Sequence, residues 1–321
     1  MPLVNTALTL KDLPPAPEGK RGWPWTEQTE PLPDKMADGS DWPRISIVTP
    51  SYNQGQFIEE TIRSVLLQGY PNLEYIIIDG RSNDNSVEII RKYEPWLAYW
   101  VSETDNGQAN AVNKGIAHST GNILNFLNSD DLFLPNTVSI TAKIFPKDIN
   151  SLIVTYGFRL RMTAEGQIFD FDLPPNKINL LTFRIGCWIP SETFFFTRKT
   201  FNLLKGFNEE LEFAIDYDFY LRSYQIGANF LAIKKFMGVM RFHNTSKSTI
   251  MPKVGNNEFF YLRENILGNN LASLSMNLFC DLFFSKLVFH KNRFRKHIWK
   301  YLNKKQFKEV CKDSGRRDCQ V

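Results

Sequence analysis

With 321 residues, 43% hydrophobic and 22% charged, the chain has an ordinary globular composition, and folding would bury about 75% of its extended surface without staples. Its four cysteines (Cys187, Cys280, Cys311, Cys319) form no CxxC pair and no zinc-like grouping with the four histidines, which excludes a zinc ribbon and a disulfide scaffold and fits reduced thiols in a cytosolic protein. The net charge of +4 divides unevenly: residues 286–321 carry 12 Lys/Arg and 3 Asp/Glu, while residues 1–285 have a balance of −5, so an anionic partner is expected near the C-terminus.

No basic-then-apolar leader is present, and no stretch of 18 apolar residues is free of charge, so neither a signal peptide nor a spanning helix is expected. Residues 1–43 are rich in proline, which sustains neither a helix nor a central strand, and read as an extended arm pinned to the body by Trp23, Trp25 and Trp42. At Ile45 the pattern changes. Ile45–Thr49 and Leu73–Asp79 are short β-branched runs ending in polar residues, as in strands buried on both faces. Between them Ile58, Ile62, Val65 and Leu66 recur at helical spacing, and Gly69-Tyr70-Pro71 supplies the stop. Asn85 followed by Glu88 predicts a capping box opening a second helix. A strand near Ala98–Ser102, a helix near Gln108–His118 and a strand at Asn122–Leu127 continue an α/β alternation. Right-handed crossovers bring every strand end to one rim. Farther on, Leu152–Gly157 and Thr193–Thr197 read as strands, Arg198–Leu204 and Asp216–Tyr224 as helices, Gly238–Phe242 as a strand and residues 259–300 as an amphipathic helical region.

The rim collects Thr49-Pro50-Ser51-Tyr52-Asn53, Asp79 and Asn128-Ser129-Asp130-Asp131, where open α/β sheets bind ligands. Neither GxGxxG nor GxxxxGK[ST] occurs there, which disfavours a dinucleotide oxidoreductase and a P-loop phosphotransferase. Two adjacent carboxylates after an apolar strand are costly unless a cation neutralises them, and Mg²⁺ suits a carboxylate–diphosphate site. A helix N-cap is the structural alternative for the same pair.

The ordered set Ile45–Asn53, Ile77-Ile78-Asp79-Gly80, Asn113-Lys114-Gly115 and Asn128–Asp131 closely resembles glycosyltransferase family 2 over residues 44–250. The resemblance implies the GT-A fold, a mostly parallel Rossmann-like sheet flanked by helices, and an inverting transferase using a nucleotide-diphosphate sugar. It implies that Thr49, Pro50, Ser51, Tyr52, Asn53 and Asp79 line the nucleotide pocket, with Asp79 reaching the base. It places Asp130 by the ribose and diphosphate and Asp131 on a Mg²⁺ or Mn²⁺ ion, with Asn128 where relatives often have Asp. Gln108 and Lys114 fall on the loop and helix over the donor. The matching acidic motif puts the catalytic base on Asp216; Asp218 is the rival, turned to another helix face by its spacing of two. His243 becomes a further metal ligand or a structural donor, and Lys247 a phosphate contact in a closing lid.

The expected organisation is therefore an arm (1–43), a GT-A catalytic domain (44–250) and a basic amphipathic helical region (251–321). In the last, Leu278, Phe279, Leu282, Phe283, Leu287 and Phe289 precede Lys291, Arg293, Arg295 and Lys296, fitting either an interfacial helix on anionic lipid or a helix packed on the body. The expected partners are a nucleotide sugar and a saccharide or lipid-linked saccharide acceptor. The expected location is the inner face of the cell membrane, and no nucleic-acid motif accompanies the basic cluster. A sugar nucleotidyltransferase and an inactive carbohydrate-binding or scaffold protein are the competing readings; the first lacks its Gly-rich signature near the first strand.

Overall fold

A computed structural model of the protein describes residues 7–146, 150–186 and 189–267. Strands β1 (Ile45–Ser51), β2 (Leu73–Asp79), β3 (Tyr99–Ser102) and β4 (Ile123–Phe126) are parallel and lie in the order β3-β2-β1-β4. Helices α1 (Ile58–Leu66), α2 (Ser86–Lys92) and α3 (Gln108–Ala117) make the crossovers. Because both faces are covered, side chains alternate between two cores. Ile47 and Ile77 pack with Ile58, Ile62 and Ile90 on one side; Val48, Ile76 and Ile78 pack with Ala109, Val112 and Ile116 on the other. Gly115 lets α3 approach closely: a Cβ there would lie 2.3 Å from Val48 Cγ1. The strand order reverses between β1 and β4, so a crevice opens at their carboxyl ends.

The second half of the sheet is mixed. It comprises β5 (Leu132–Phe133), β6 (Ile153–Thr163), β7 (Ile168–Asp172), β8 (Phe195–Thr197) and β9 (Asn229–Phe242), continuing the order as β4-β8-β6-β9-β5 with β7 on β6. Helices α4 (Thr137–Ile144), α5 (Leu180–Ile185), α6 (Arg198–Leu204), α7 (Ile215–Gln225), α8 (Lys247–Ile250) and α9 (Pro252–Leu267) complete the described elements. This curled α/β sheet with flanking helices is the GT-A architecture the resemblance implied.

β6 and β9 extend well past the runs expected at Leu152–Gly157 and Gly238–Phe242. Their extra length is polar on one side and depends on pairing between β6, β7 and β9, a non-local contact that hydrophobic runs do not report. Thr193 lies in a 3-10 turn (Ser191–Thr193) after Pro190 instead of in a strand. The expected capping box at Asn85 does not form: the Asn85 side chain makes no capping bond, and Ser86 N donates to Asp84 Oδ1 at 2.9 Å. Asp84 is held there because its other oxygen accepts Gly55 N at 2.8 Å.

The proline-rich segment runs over α1 and β5. Trp23 is buried and donates from Nε1 to Phe133 O at 2.8 Å. Arg63 of α1, 1% exposed, donates to the carbonyls of Pro14, Pro24 and Trp25 and to Tyr93 Oη. A buried guanidinium needs such acceptors, and the prolines' carbonyls are free to serve because their segment forms no ladder. Gly69 fits where the arm crosses, since a Cβ would meet Glu30 O at 2.7 Å. Most of the expected amphipathic C-terminal region lies outside the described residues. Among the described residues no helix is long and apolar enough to cross a membrane.

Candidate active site

The loops after β1 and β2 are stitched into one wall. Asn53, at φ 53°, donates its N–H to Ser82 Oγ (2.8 Å) and accepts Asn83 N (2.9 Å), while Gln54 N donates to Ser86 Oγ. Asp79 is fully buried, with both oxygens occupied by Ser82 N, Ser82 Oγ and Ser102 Oγ. Thr49 is buried against Tyr75 Oη at 3.0 Å, and Pro50 and Ser51 are buried with it. Tyr52, 62% exposed, and Asn53 are the exposed members of this set. Of the expected nucleotide wall, then, Tyr52 and Asn53 face outward, while Thr49, Pro50 and Ser51 lie buried at the end of β1 and Asp79 at the end of β2.

Asp130 and Asp131, adjacent in sequence, have opposite fates. Asp131 is 3% exposed; its carboxylate accepts Arg241 N (3.0 Å) and Asn128 Nδ2 (3.2 Å), joining the turn to β9. Burial, then the Asp130 and Glu192 charges, push its carboxyl well above the usual carboxylate range. Asp130 turns the other way, with Oδ2 2.9 Å from His243 Nε2. His243 follows β9, meets Phe57 at a tilt with centroids 4.6 Å apart, and keeps its second nitrogen 2.9 Å from Thr245 Oγ1. Arg241 secures this corner, donating to Asp130 O and pairing with Glu60 at 2.9 Å.

Lys247 spans the opening. Its ammonium donates to Gln108 Oε1 (3.0 Å) and Glu212 O (2.7 Å), and Gln108 Nε2 donates to Asn128 Oδ1 (2.6 Å). The residue is open to solvent overall, yet the lodged ammonium loses water and its pKa falls. Lys114 is held aside by Glu103 at 2.8 Å.

Asp216 begins α7 and accepts Tyr217 N at 2.7 Å. Burial raises its pKa to about 6, against the pull of that backbone N–H and of Arg159. Asp218 is 2% exposed and bound to Arg222, which also donates to Leu204 O and Gly206 O, so this carboxylate is committed to holding α7. Three further groups complete the neighbourhood, none singled out by the sequence. Glu192 is buried, 3.5 Å from Arg159 Nη1, and one of its oxygens has no protein partner; burial raises its pKa. Arg159 pairs with Asp172 at 2.6 Å. Its charge and that of Glu192 both act on Asp216; Glu192 also acts on Asp131, and Asp131 on Arg159. Glu258, on α9, accepts the N–H groups of Glu212, Phe213 and Ala214 at 2.7–3.0 Å, fixing the loop that launches α7. Only Glu192 carried a signal, an acidic residue inside the apolar run Ile189–Phe196.

Among the described residues no group of three or more His, Cys, Asp or Glu side chains converges on one point. Asp130 and His243 nevertheless fit a divalent ion bound with diphosphate, since Mg²⁺ ordinarily takes one or two protein carboxylates and fills its shell with phosphate and water, and imidazole also suits transition ions.

A 3-2-1-4 parallel sheet with an Asp-Asp turn at its switch point, continued by a mixed half carrying an acidic helix start, defines the GT-A class of transferases. The model of glycosyl transferase family 2 matches residues 46–202. An uncharacterized glycosyltransferase of Mycobacterium tuberculosis is 32% identical over 184 residues, 56% of this chain and 69% of that protein. The chain belongs to glycosyl transferase family 2. It is also 29% identical to a hyaluronan synthase of Pasteurella multocida over 78% of its length, and 30% identical to a chondroitin synthase of Escherichia coli over 64%; it spans only 26% and 30% of those larger proteins. S. aureus TarS 1–349 in complex with UDP-GlcNAc superposes with a TM-score of 0.54 at 19% identity, covering 68% of this chain and 64% of that one. A Pyrobaculum calidifontis mannosyltransferase in complex with GDP-Man and Mn²⁺ gives 0.53 at 17%, covering 83% and 72%. Both share the fold.

Proposed function

We propose that this glycosyltransferase inverts configuration as it moves a sugar from a nucleotide-diphosphate donor to a saccharide hydroxyl in polysaccharide or lipid-linked glycan synthesis. The observation that carries the reading is the pair of Arg159 and the buried Glu192, 3.5 Å apart, placed so that Glu192 acts on Asp131 in the turn after β4 and both charges act on Asp216. Asp216 takes the acceptor's hydroxyl proton while that oxygen bonds to the anomeric carbon and the bond from that carbon to the diphosphate breaks on the opposite face. A carboxyl with a pKa of about 6 is ionised at neutral pH yet basic enough for this transfer. Tyr52 offers an exposed ring to the nucleobase, and Lys247 an ammonium to the phosphates.

We assign the metal to Asp130 and His243 in place of Asp131, whose carboxylate is already engaged by Arg241 N and Asn128. A bound Mg²⁺ or Mn²⁺ would supply positive charge against the departing diphosphate. The relatives named for hyaluronan and chondroitin synthesis support a saccharide acceptor, and the basic composition of residues 286–321 supports an anionic membrane surface as its meeting place.

Thermal melts with UDP-GlcNAc and GDP-Man, with and without Mn²⁺, test the reading. One donor should raise the melting temperature only when metal is present, and Asp130→Ala should abolish that dependence. An equal shift in Asp130→Ala would remove the metal from this site. No shift with either donor would count against both nucleotides.

A further inference from the structure

The outer half of the sheet has one covered and one open face. Along β6, Leu160 and Met162 are buried while Arg159, Arg161 and Thr163 are half-buried; on β9, Val239 and Arg241 are buried while Met240 and Phe242 are half-buried. β7 follows suit, with Phe171 buried beside Leu160 and Asp172 opposite Arg159. A sheet edge of this kind normally shows scattered polar residues to water. This one shows paired charges and aromatic rings. Arg159 and Arg161 both bond Asp172, at 2.6 and 2.7 Å. The Arg161 guanidinium lies 5.6 Å from the Phe242 ring centre, and Phe169 meets Phe242 edge-on at 5.6 Å while remaining 42% exposed.

Its position gives this face a use. Phe242 directly precedes His243, the residue beside Asp130. At the other end, Arg159 reaches Glu192, which packs over Gly238 on the same face, where a Cβ would lie 2.6 Å from Glu192 Cγ. The charges of Arg159 and Glu192 are both felt at Asp216. The open face thus runs from Arg159 and Glu192 at one end to Phe242, beside His243 and Asp130, at the other.

We propose that this face of β6, β7 and β9 is the acceptor subsite, and that it takes an uncharged saccharide whose apolar ring face lies on Phe169 and Phe242 and whose hydroxyls meet Arg161 and Asp172. This rests on the transferase reading above. The two guanidiniums are matched by Asp172 and by Asp170, which lies opposite Arg161 across the β6–β7 pair, so a charged ligand gains little there, whereas neighbouring hydroxyls both donate to Asp172 and accept from Arg161. The C–H face of a pyranose buries against an aromatic ring without desolvating its equatorial hydroxyls.

Saturation-transfer NMR on the full chain, with UDP and Mn²⁺ present, reads this directly. The probes are the methyl β-glycosides of glucose, galactose and N-acetylglucosamine, with methyl β-glucuronide as the charged comparison. At least one neutral glycoside should bind, with its Kd raised about tenfold or more by Phe169→Ala and by Arg161→Ala and restored by Phe169→Trp. Phe169 is exposed enough for these variants to fold, which melting temperatures verify. Unchanged affinity in both alanine variants, preference for the glucuronide, or no binding by any neutral glycoside would each overturn the proposal. Failure of the transferase reading would appear separately, as loss of metal-dependent nucleotide-sugar binding by the unmutated protein.

Discussion

Replacing Asp216 by Asn removes one ionisable oxygen and keeps an acceptor for Tyr217 N. In the folded protein this carboxyl has a pKa of about 6 against an ordinary 3.8, a displacement of roughly two units or about 3 kcal/mol at full effect. The folded state holds the proton more tightly than the unfolded chain. The wild type is therefore unpenalised below about pH 4, loses stability as the pH climbs toward 6, and bears the whole cost above it. Asn cannot ionise, so the variant should be more stable by about 1.5 kcal/mol at pH 5 and about 3 kcal/mol at pH 8. Urea melts at the two pH values measure the difference. Turnover should fall by 10²–10⁴-fold, the usual worth of a general base, and the acid limb of the wild-type kcat/KM profile should lie near pH 6. A stability difference independent of pH would refute the burial argument. Turnover within tenfold of wild type would remove Asp216 as the base.

The Glu258 clamp predicts a positioning effect. Glu258→Ala frees three N–H groups ahead of α7 and should lower kcat by about 10–100-fold with donor Kd changed less than threefold, while Glu258→Gln, which keeps an acceptor, should recover most of the rate; equal losses in both variants would mean the carboxylate acts otherwise. Gly115→Ala sets two rules against each other. In an exposed helix it would stabilise by about 1 kcal/mol, but the collision with Val48 predicts a loss of about 1–3 kcal/mol, read as a lower melting temperature and partly relieved by Val48→Ala.

Local pattern carried most of the regular elements. The β-branched run at Leu73–Asp79 is β2, and Arg198–Leu204 is α6, because in these segments burial on one or both faces imposes a period that neighbours in sequence already display. The ordered motifs at Thr49–Asn53 and Asn128–Asp131 lie at the switch point for the same reason: strand order follows from short right-handed crossovers. Tertiary structure decided what no local pattern could. Asp130 and Asp131 are chemically alike, and only β9, arriving more than a hundred residues later with Arg241 N, fixes which one is buried. Arg159 and Glu192 act on the base, and Glu258 holds the loop before it, from three separate elements, and the length of β6 and β9 depends on partners far along the chain. The fold class was written in periodicity. The assignment of each charge to the crevice or the core was set by contacts across the sheet, because burial is a property of what packs on a residue and not of the residues beside it.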